Sequence, residues 1–256
     1  ADGSANMITA TADGNVGLSY AGSQKISTTA TGIDVTGTAV TDGLTVAGNV
    51  SVDSGSIKLD GNYPTGTSNL GFGDNALCSI TSGARFNTAI GNNALCTHTS
   101  NDKNTAVGNQ ALRDNTGGCN TAVGHDSMVN NGAGQCNVAV GHGSLANNDS
   151  GDFNTAVGFN ALNSNTTGEP NTAVGFCALE ANTTGACNTA VGKEALRAHT
   201  TGTRNTGVGT GALCDITTTQ DNTAIGYFAA KDSTANYTTA VGSEAVFRTT
   251  GDANTG

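Results

Sequence analysis

A phrase of about 17 residues repeats along most of this chain, and it constrains the fold more than any other feature. The unit is N-T-A-V-G-x-x-A-L-x-x-N-T-T-G-x-x, which opens at Asn171 and opens again at Asn188, 17 residues later. The interval is 16 or 18 residues in a few places. The glycine at the fifth position recurs at Gly73, Gly91, Gly108, Gly124, Gly141, Gly158, Gly175, Gly192, Gly209, Gly226 and Gly242. A fixed short period predicts that one coil of backbone stacks on the next.

The composition excludes a core of large side chains. The 256 residues include no Trp, 4% aromatic residues, 12% charged residues and 37 Gly. The chain also differs from disordered sequences, because 36% of it is hydrophobic and its Val, Leu, Ile and Ala residues recur in phase with the repeat. We therefore expect a thin core built from small side chains.

The charge pattern excludes two classes of partner. The net charge is −10, from 20 acidic and 10 basic residues, and the basic residues form no cluster. Nucleic acid and an anionic membrane surface are therefore not expected as partners. The absence of a run of about 18 apolar residues argues against membrane insertion. The start, Ala1–Ser4, resembles no signal peptide, and Asn254–Gly256 opens another repeat, so we expect a segment of a longer polypeptide.

Residues 1–66 follow a different pattern from the repeats. Apolar residues two positions apart, such as Ile33 and Val35, are separated from the next pair by Gly or Asp-Gly. Further pairs of this kind are Leu44/Val46, Val50/Val52 and Ile57/Leu59. This pattern predicts short β-strands with one buried face, too short to be stable alone. We expect a β shaft completed by other copies of the chain, ending in the turn-rich Asp60–Gly66, and a repeat domain over residues 67–256.

Within one coil, Asn-Thr-Ala-Val-Gly has the alternation and β-branched content of a short strand. We predict that Thr and Val face the interior of the coil together with the Leu at the ninth position. The Ala and Gly face would then be flat enough for a second chain, so a large residue at Ala173 would damage assembly more than it damages the coil. The glycines at the fifth and fifteenth positions are predicted where φ is positive or where backbones pack closely.

The asparagine that opens each unit recurs in the same register. Such residues can form a ladder of amide hydrogen bonds along stacked strands. We favour this structural role over the alternative, a row of sugar-binding amides. The predicted structural ladder includes Asn154, Asn171, Asn188, Gly158, Gly175 and Gly192.

Candidate contact residues lie at the variable sixth position of the unit. They are His125, His142, Phe159, Phe176 and Tyr227. Stacked coils would bring His125 next to His142 and Phe159 next to Phe176. The aromatic residues could stack on a glycan or cover a subunit seam, and we favour the seam. Two histidines on adjacent coils could bind a metal, but no Asp, Glu or Cys pattern completes a ligand shell, so we predict no metal site and no cofactor.

The seven cysteines show no C-x-x-C spacing. Cys78 and Cys96, and likewise Cys119 and Cys136, lie on adjacent coils at a spacing that a disulfide permits. We expect free, partly buried thiols, with inter-coil disulfides as the alternative. The four histidines lie near no nucleophile motif, and we expect no enzymatic activity.

Two stretches resemble known fibre proteins. Residues 17–38, GLSYAGSQKISTTATGIDVTGT, resemble a phrase of the tail-fibre proteins of tailed bacteriophages, especially those of marine cyanobacteria. The units from Asn69 onward are similar to arrays in such fibres and, more distantly, to the head repeats of trimeric autotransporter adhesins. The resemblance covers nearly the whole chain. It implies a homotrimeric fibre on a virion, outside the cell, that binds a glycan or protein of the host surface.

These observations predict an elongated all-β protein, with a short-strand β shaft followed by a β-roll or β-solenoid of about 17-residue coils, assembled as a homotrimer. A monomeric solenoid remains the alternative assembly. A secreted bacterial trimeric adhesin is one alternative function. An ice-binding solenoid is another, suggested by Thr155, Thr172 and Thr189, although Val138 interrupts that row and the strand threonines are expected to point inward.

Overall fold

The computed structural model describes residues 7–10, 16–20, 23–29, 32–35, 68–80, 83–97 and 100–247. The chain divides into two units, Ala1–Ile57 and Lys58–Gly256, which are described separately. The boundary predicted at residue 66 lies outside the described residues, as do the apolar pairs predicted at 44–46, 50–52 and 57–59.

The first unit contains a four-stranded antiparallel sheet in sequential order. Its strands are β1 (Met7–Ala10), β2 (Val16–Tyr20), β3 (Ser23–Thr29) and β4 (Gly32–Val35). Ile8 pairs with Leu18, and Leu18 pairs with Ile26, so these three side chains form one cross-strand row. All three are exposed, Ile8 by 72%. An apolar row of this sheet is therefore open to solvent in the single chain.

The second unit is a β-solenoid with an 11-stranded parallel sheet, one strand per coil. The strands of this sheet are β5 (Leu70–Phe72), β6 (Thr88–Ile90), β7 (Thr105–Val107), β9 (Thr121–Val123), β11 (Val138–Val140), β12 (Thr155–Val157), β13 (Thr172–Val174), β14 (Thr189–Val191), β15 (Thr206–Val208), β16 (Thr223–Ile225) and β17 (Thr239–Val241). Two short strands, β8 (Asp114–Asn115) and β10 (Asn130–Asn131), pair with each other on another side of the coil. The predicted all-β solenoid is confirmed.

The strands are paired in the register that the repeat predicts. Each residue lies opposite its counterpart in the next coil, as Ala156 lies opposite Ala173. The 16-residue intervals are absorbed between strands, since β7 and β9 still pair Ala106 with Ala122. No helix occurs among the described residues, and so none there is able to cross a membrane.

The interior of the coil corrects one prediction. The strand alanines, Ala173 among them, are fully buried, whereas the strand Thr and Val residues are half-buried or exposed. The prediction that Thr and Val face inward is therefore wrong, although the ninth-position Leu is buried as expected. The reason is space: a methyl group added at Gly207 would lie 3.2 Å from the Ala212 carbonyl oxygen and 3.4 Å from Leu196 Cγ. A methyl group fills the strand side of the coil, and a β-branched side chain does not fit.

The two glycines of the unit are required for different reasons. At the fifth position φ lies between 124° and 144°, a region that side chains disfavour. A Cβ at Gly192 would also lie 2.6 Å from both the carbonyl carbon and the carbonyl oxygen of Gly209. At the fifteenth position the constraint is space alone, since a Cβ at Gly185 would lie 2.5 Å from the Gly202 carbonyl oxygen.

Three further positions in a coil have left-handed backbone without being glycine. In one coil they are Cys177, Leu179 and Cys187, with φ of 53°, 51° and 58°. A non-glycine residue there is uncommon and costs conformational energy. Hydrogen bonds between coils offset that cost, as when the Leu179 N–H donates to the Ala195 carbonyl at 3.0 Å.

Candidate functional site

The turn after each strand positions a surface row, here called the sixth-position ladder, made of His125, His142, Phe159, Phe176 and Lys193. Each residue follows the fifth-position glycine, whose positive φ turns the chain out of the strand. Backbone hydrogen bonds then hold neighbouring turns in register. The N–H of the residue after His142 donates to the His125 carbonyl at 3.0 Å, and the N–H after Phe159 donates to the His142 carbonyl at 3.0 Å.

The rings of this ladder form one continuous stack. The ring centroids of His125 and His142 are 5.0 Å apart, those of His142 and Phe159 5.2 Å, and those of Phe159 and Phe176 5.3 Å. The interplanar angles are 7°, 11° and 9°. Lys193 Nζ lies 6.0 Å from the centre of the Phe176 ring. The structure thus brings four of the five predicted contact residues together.

Tyr227 does not belong to this stack. Lys193 and Thr210 occupy the register between it and Phe176. Its ring instead packs edge-on against Phe228, with centroids 4.4 Å apart and planes inclined by 61°. The predicted contact residues therefore form two separate groups on the solenoid.

The stack limits what the ladder can bind. Sugar rings stack on open aromatic faces, but most ring faces of this ladder are covered by the neighbouring ring or, at Phe176, by Lys193. What remains open is ring edge, with Phe159 44% and Phe176 48% exposed. A row of apolar edges is better suited to a flat protein seam than to a glycan.

An acidic side chain missed by sequence analysis lies beside the two histidines. Asp126 Oδ2 is 3.1 Å from His125 Nδ1, and a ligand atom of His142 is close to both. The statement that no acidic residue completes a ligand shell is therefore corrected. The available signal was simple adjacency, because Asp126 directly follows His125 and its left-handed backbone, with φ of 53°, places it at the same turn.

The opening asparagines form a buried ladder, but most of their partners are backbone groups. Asn171 Oδ1 accepts a hydrogen bond from the backbone N–H of Asn188 at 3.0 Å, and Asn154 Oδ1 accepts one from Asn171 at 2.9 Å. Asn171 Nδ2 donates to the Gly185 carbonyl of its own coil at 2.8 Å. Each asparagine therefore closes its own coil and links it to the next.

A second asparagine ladder, at the twelfth position, was not predicted. Asn182 Nδ2 donates to Asn165 Oδ1 at 2.8 Å, and Asn165 Nδ2 donates to Asn148 Oδ1 at 2.9 Å. All three are fully buried. The recurring Asn of N-T-T-G was the signal for this ladder. Both ladders are inside the solenoid, where a sugar cannot reach them.

His199 stands where the second ladder would continue. Its side chain is fully buried, and its Nδ1 has no hydrogen-bond partner. Asn182 Oδ1, which would accept from an asparagine at this position, is also unpaired. Burial lowers the pKa of His199, and the Gly202 backbone opposes this in part. This histidine is thus an interruption in a structural ladder.

The described cysteines are free. Cys78 and Cys96 approach closely, with 2.7 Å between their Sγ atoms. Burial is the main cause that raises the pKa of the Cys96 and Cys177 thiols to about 11 and that of Cys214 to about 12. Such thiols are almost entirely protonated at neutral pH and are poor nucleophiles.

Comparison with known proteins adds no relative to this picture, because no protein-family model, no curated protein and no solved structure matches the chain. The fold alone therefore defines the class of protein. It is an all-β solenoid repeat protein with about 17 residues per turn.

Proposed function

We propose that this chain is a structural segment of a virion tail fibre, outside the cell, that assembles as a homotrimer and carries adhesion to a glycan or protein of the host surface. It acts by presenting a surface on a stiff support, without catalysis. The resemblance of residues 17–38 and of the repeat units to phage tail fibres led to this proposal, and three structural features support it.

The observation that carries the proposal is the outward face of the parallel sheet. With alanine inside, the β-branched residues of every strand lie on the surface in one in-register array. Several are exposed, including Ile90, Ile225 and Val241, the last by 59%. A continuous apolar face of this kind marks a surface that another chain covers. Closed cyclic symmetry would bury the same face on each copy.

Two other exposed apolar rows support assembly. In the first unit, Ile8, Leu18 and Ile26 leave one row of a small sheet uncovered. In the solenoid, the ring edges of Phe159 and Phe176 are open. Homotrimer formation would give each row a partner without any further protein.

The assembly is tested by light scattering after size exclusion, at low and high concentration. Each chain has a mass of 25.2 kDa, and we expect the mass of three chains. Val191→Asp places a charge on the outward strand face and should reduce the mass to one chain while far-UV circular dichroism keeps its β signal. Thr184→Asp, at an exposed turn of the preceding coil, is the matched control and should stay trimeric. A single-chain mass for the unaltered protein at every concentration would refute the trimeric fibre.

Adhesion is tested separately with fluorescently labelled protein and a panel of cyanobacterial strains. We expect saturable binding to some strains, displaced by excess unlabelled protein. Binding that does not saturate, or that all strains show equally, would contradict a receptor-binding role.

A second candidate, ice binding, is favoured by one observation. The strand threonines, including Thr155, Thr172 and Thr189, point outward in register and are half-exposed, contrary to the inward aim that sequence analysis expected. Val138 still interrupts the row. A measurement of thermal hysteresis tests this candidate, and its absence at millimolar protein would eliminate it.

A further inference from the structure

We propose that His125, Asp126 and His142 form a binding site for a divalent transition-metal ion, for which Zn²⁺ is the probe. The two histidines come from adjacent coils. One ligand atom from each of the three side chains lies within 4.8 Å of the others. In the part of the chain that the structure describes, no other group of three His, Cys, Asp or Glu side chains is this close.

The chemistry of the three groups suits such an ion. Imidazole nitrogen and carboxylate oxygen bind zinc at about 2.0–2.2 Å, so that the ligand atoms of a tetrahedral site lie about 3.3–3.6 Å apart. The observed separations need to shorten by about an ångström. Both histidines are exposed, and their rings can rotate to make this adjustment. Water would complete the shell, as in zinc sites with three protein ligands.

The backbone below the site is already fixed. The Gly143 N–H donates to the His125 carbonyl at 3.0 Å, and the Asp126 N–H donates to the Asn109 carbonyl at 3.0 Å. These bonds belong to the stacking of the coils and do not depend on an ion. Only the side chains therefore need to be ordered when the ion binds, which keeps the entropic cost small.

The Asp126 carboxylate supplies an independent reason to expect a cation. Its Oδ1 is buried and has no hydrogen-bond partner, while Oδ2 lies 3.1 Å from His125 Nδ1. A buried carboxylate oxygen without a donor is unfavourable. The nearby cation Arg113 is engaged elsewhere, because its Nε donates to Asp114 Oδ2 at 2.9 Å. A metal ion bound between the histidines would neutralise the carboxylate.

Binding would tie two coils together. An ion held by both His125 and His142 bridges neighbouring turns and stabilises the folded solenoid by mass action. This inference rests on the single chain and does not depend on the proposed tail-fibre function.

The variants that test the site can be chosen from the protein's own repeats. Asparagine occupies the sixth position in two other coils and the seventh position in two more, so the fold accepts it at all three ligand positions. The corresponding native residues are Asn92, Asn109, Asn93 and Asn160. The test variants are therefore His125→Asn, Asp126→Asn and His142→Asn. His199→Asn is the matched control, since it removes a histidine far from the cluster and restores the residue of the twelfth-position ladder.

The experiment is a calorimetric titration of the full chain with ZnCl₂ after treatment with a chelator, together with thermal melts. We expect the unaltered chain and His199→Asn each to bind one more Zn²⁺ per chain than any of the three test variants, and to melt at a higher temperature when zinc is present. Co²⁺ bound at this site should lack the strong near-ultraviolet absorption of thiolate ligands, which separates it from cysteine binding. Equal zinc binding by all proteins, or no binding up to millimolar Zn²⁺, would overturn the proposal.

Discussion

Replacement of Asn171 by alanine is the most direct test of the coil-closing asparagine. Its side chain makes three hydrogen bonds inside the solenoid. Oδ1 accepts from the Asn188 N–H at 3.0 Å, and Nδ2 donates to the Gly185 carbonyl at 2.8 Å and to Asn154 Oδ1 at 3.3 Å. Alanine removes all three bonds without adding bulk.

The cost differs among the partners. The Asn188 N–H loses its partner in the buried interior, and an unsatisfied buried donor costs about 1–3 kcal/mol. The Gly185 carbonyl still accepts from Asn182 Nδ2 at 3.1 Å, and Asn154 Oδ1 still accepts from the Asn171 N–H. Those two groups stay satisfied, so their loss is the net value of a hydrogen bond, about 0.5–1.5 kcal/mol each. We expect a total destabilisation of about 2–4 kcal/mol.

The assay is urea unfolding of Asn171→Ala followed by far-UV circular dichroism. Thr184→Ala, at an exposed turn of the same coil, is the control and should change the free energy of unfolding by less than about 0.5 kcal/mol. Stacked coils need not unfold in one step, so hydrogen exchange of the coils that contain residues 171–205 should accompany the unfolding curve. If Asn171→Ala costs no more than the control, the asparagine does not hold the coil closed and the argument fails.

Three further changes test other parts of the structure. Ala173→Leu should destabilise the chain by about 1–3 kcal/mol through overpacking, whereas Thr172→Leu on the outer face should not, and calorimetric melting temperatures would contradict the corrected orientation if the order were reversed. Gly192→Ala should cost at least about 1–3 kcal/mol, because its φ of 135° is disfavoured and its methyl group would meet Gly209; a neutral effect on urea unfolding would refute this. His199→Asn should stabilise the chain by about 1 kcal/mol, because it restores a buried hydrogen bond. The folded-state pKa of His199 is lowered, so below its unfolded value of about 6.5 the unfolded chain binds a proton that the folded chain does not. Stability should therefore fall on acidification, and His199→Asn should fall less; equal pH profiles would refute this.

The repeat made much of the architecture predictable. The recurrence of Asn171 at Asn188 indicated stacked coils, strand position and in-register pairing, because identical residues at a fixed interval occupy identical places in a solenoid. The same logic placed His125 beside His142 and Phe159 beside Phe176. These inferences needed only the spacing along the chain and the rule that equivalent residues of adjacent coils are neighbours.

The direction of the strand side chains was not predictable in the same way. Alternation separates Thr172 and Val174 from Ala173, but it does not say which set faces the interior. The usual preference for burying β-branched residues pointed to the wrong set. The width of the coil decided the matter, since its strand side accommodates a methyl group and the rest of the interior is filled by Leu179 and buried asparagines.

The candidate metal site shows the same division at the level of single residues. The amino-acid sequence by itself determined the period, the solenoid and the pairing of His125 with His142, since these follow from spacing. Only the tertiary structure decided that Asp126 joins them and that His199 interrupts a buried ladder. Both depend on left-handed turns and on the narrow interior, which are enforced by hydrogen bonds between coils and have no signature in the residues of one coil.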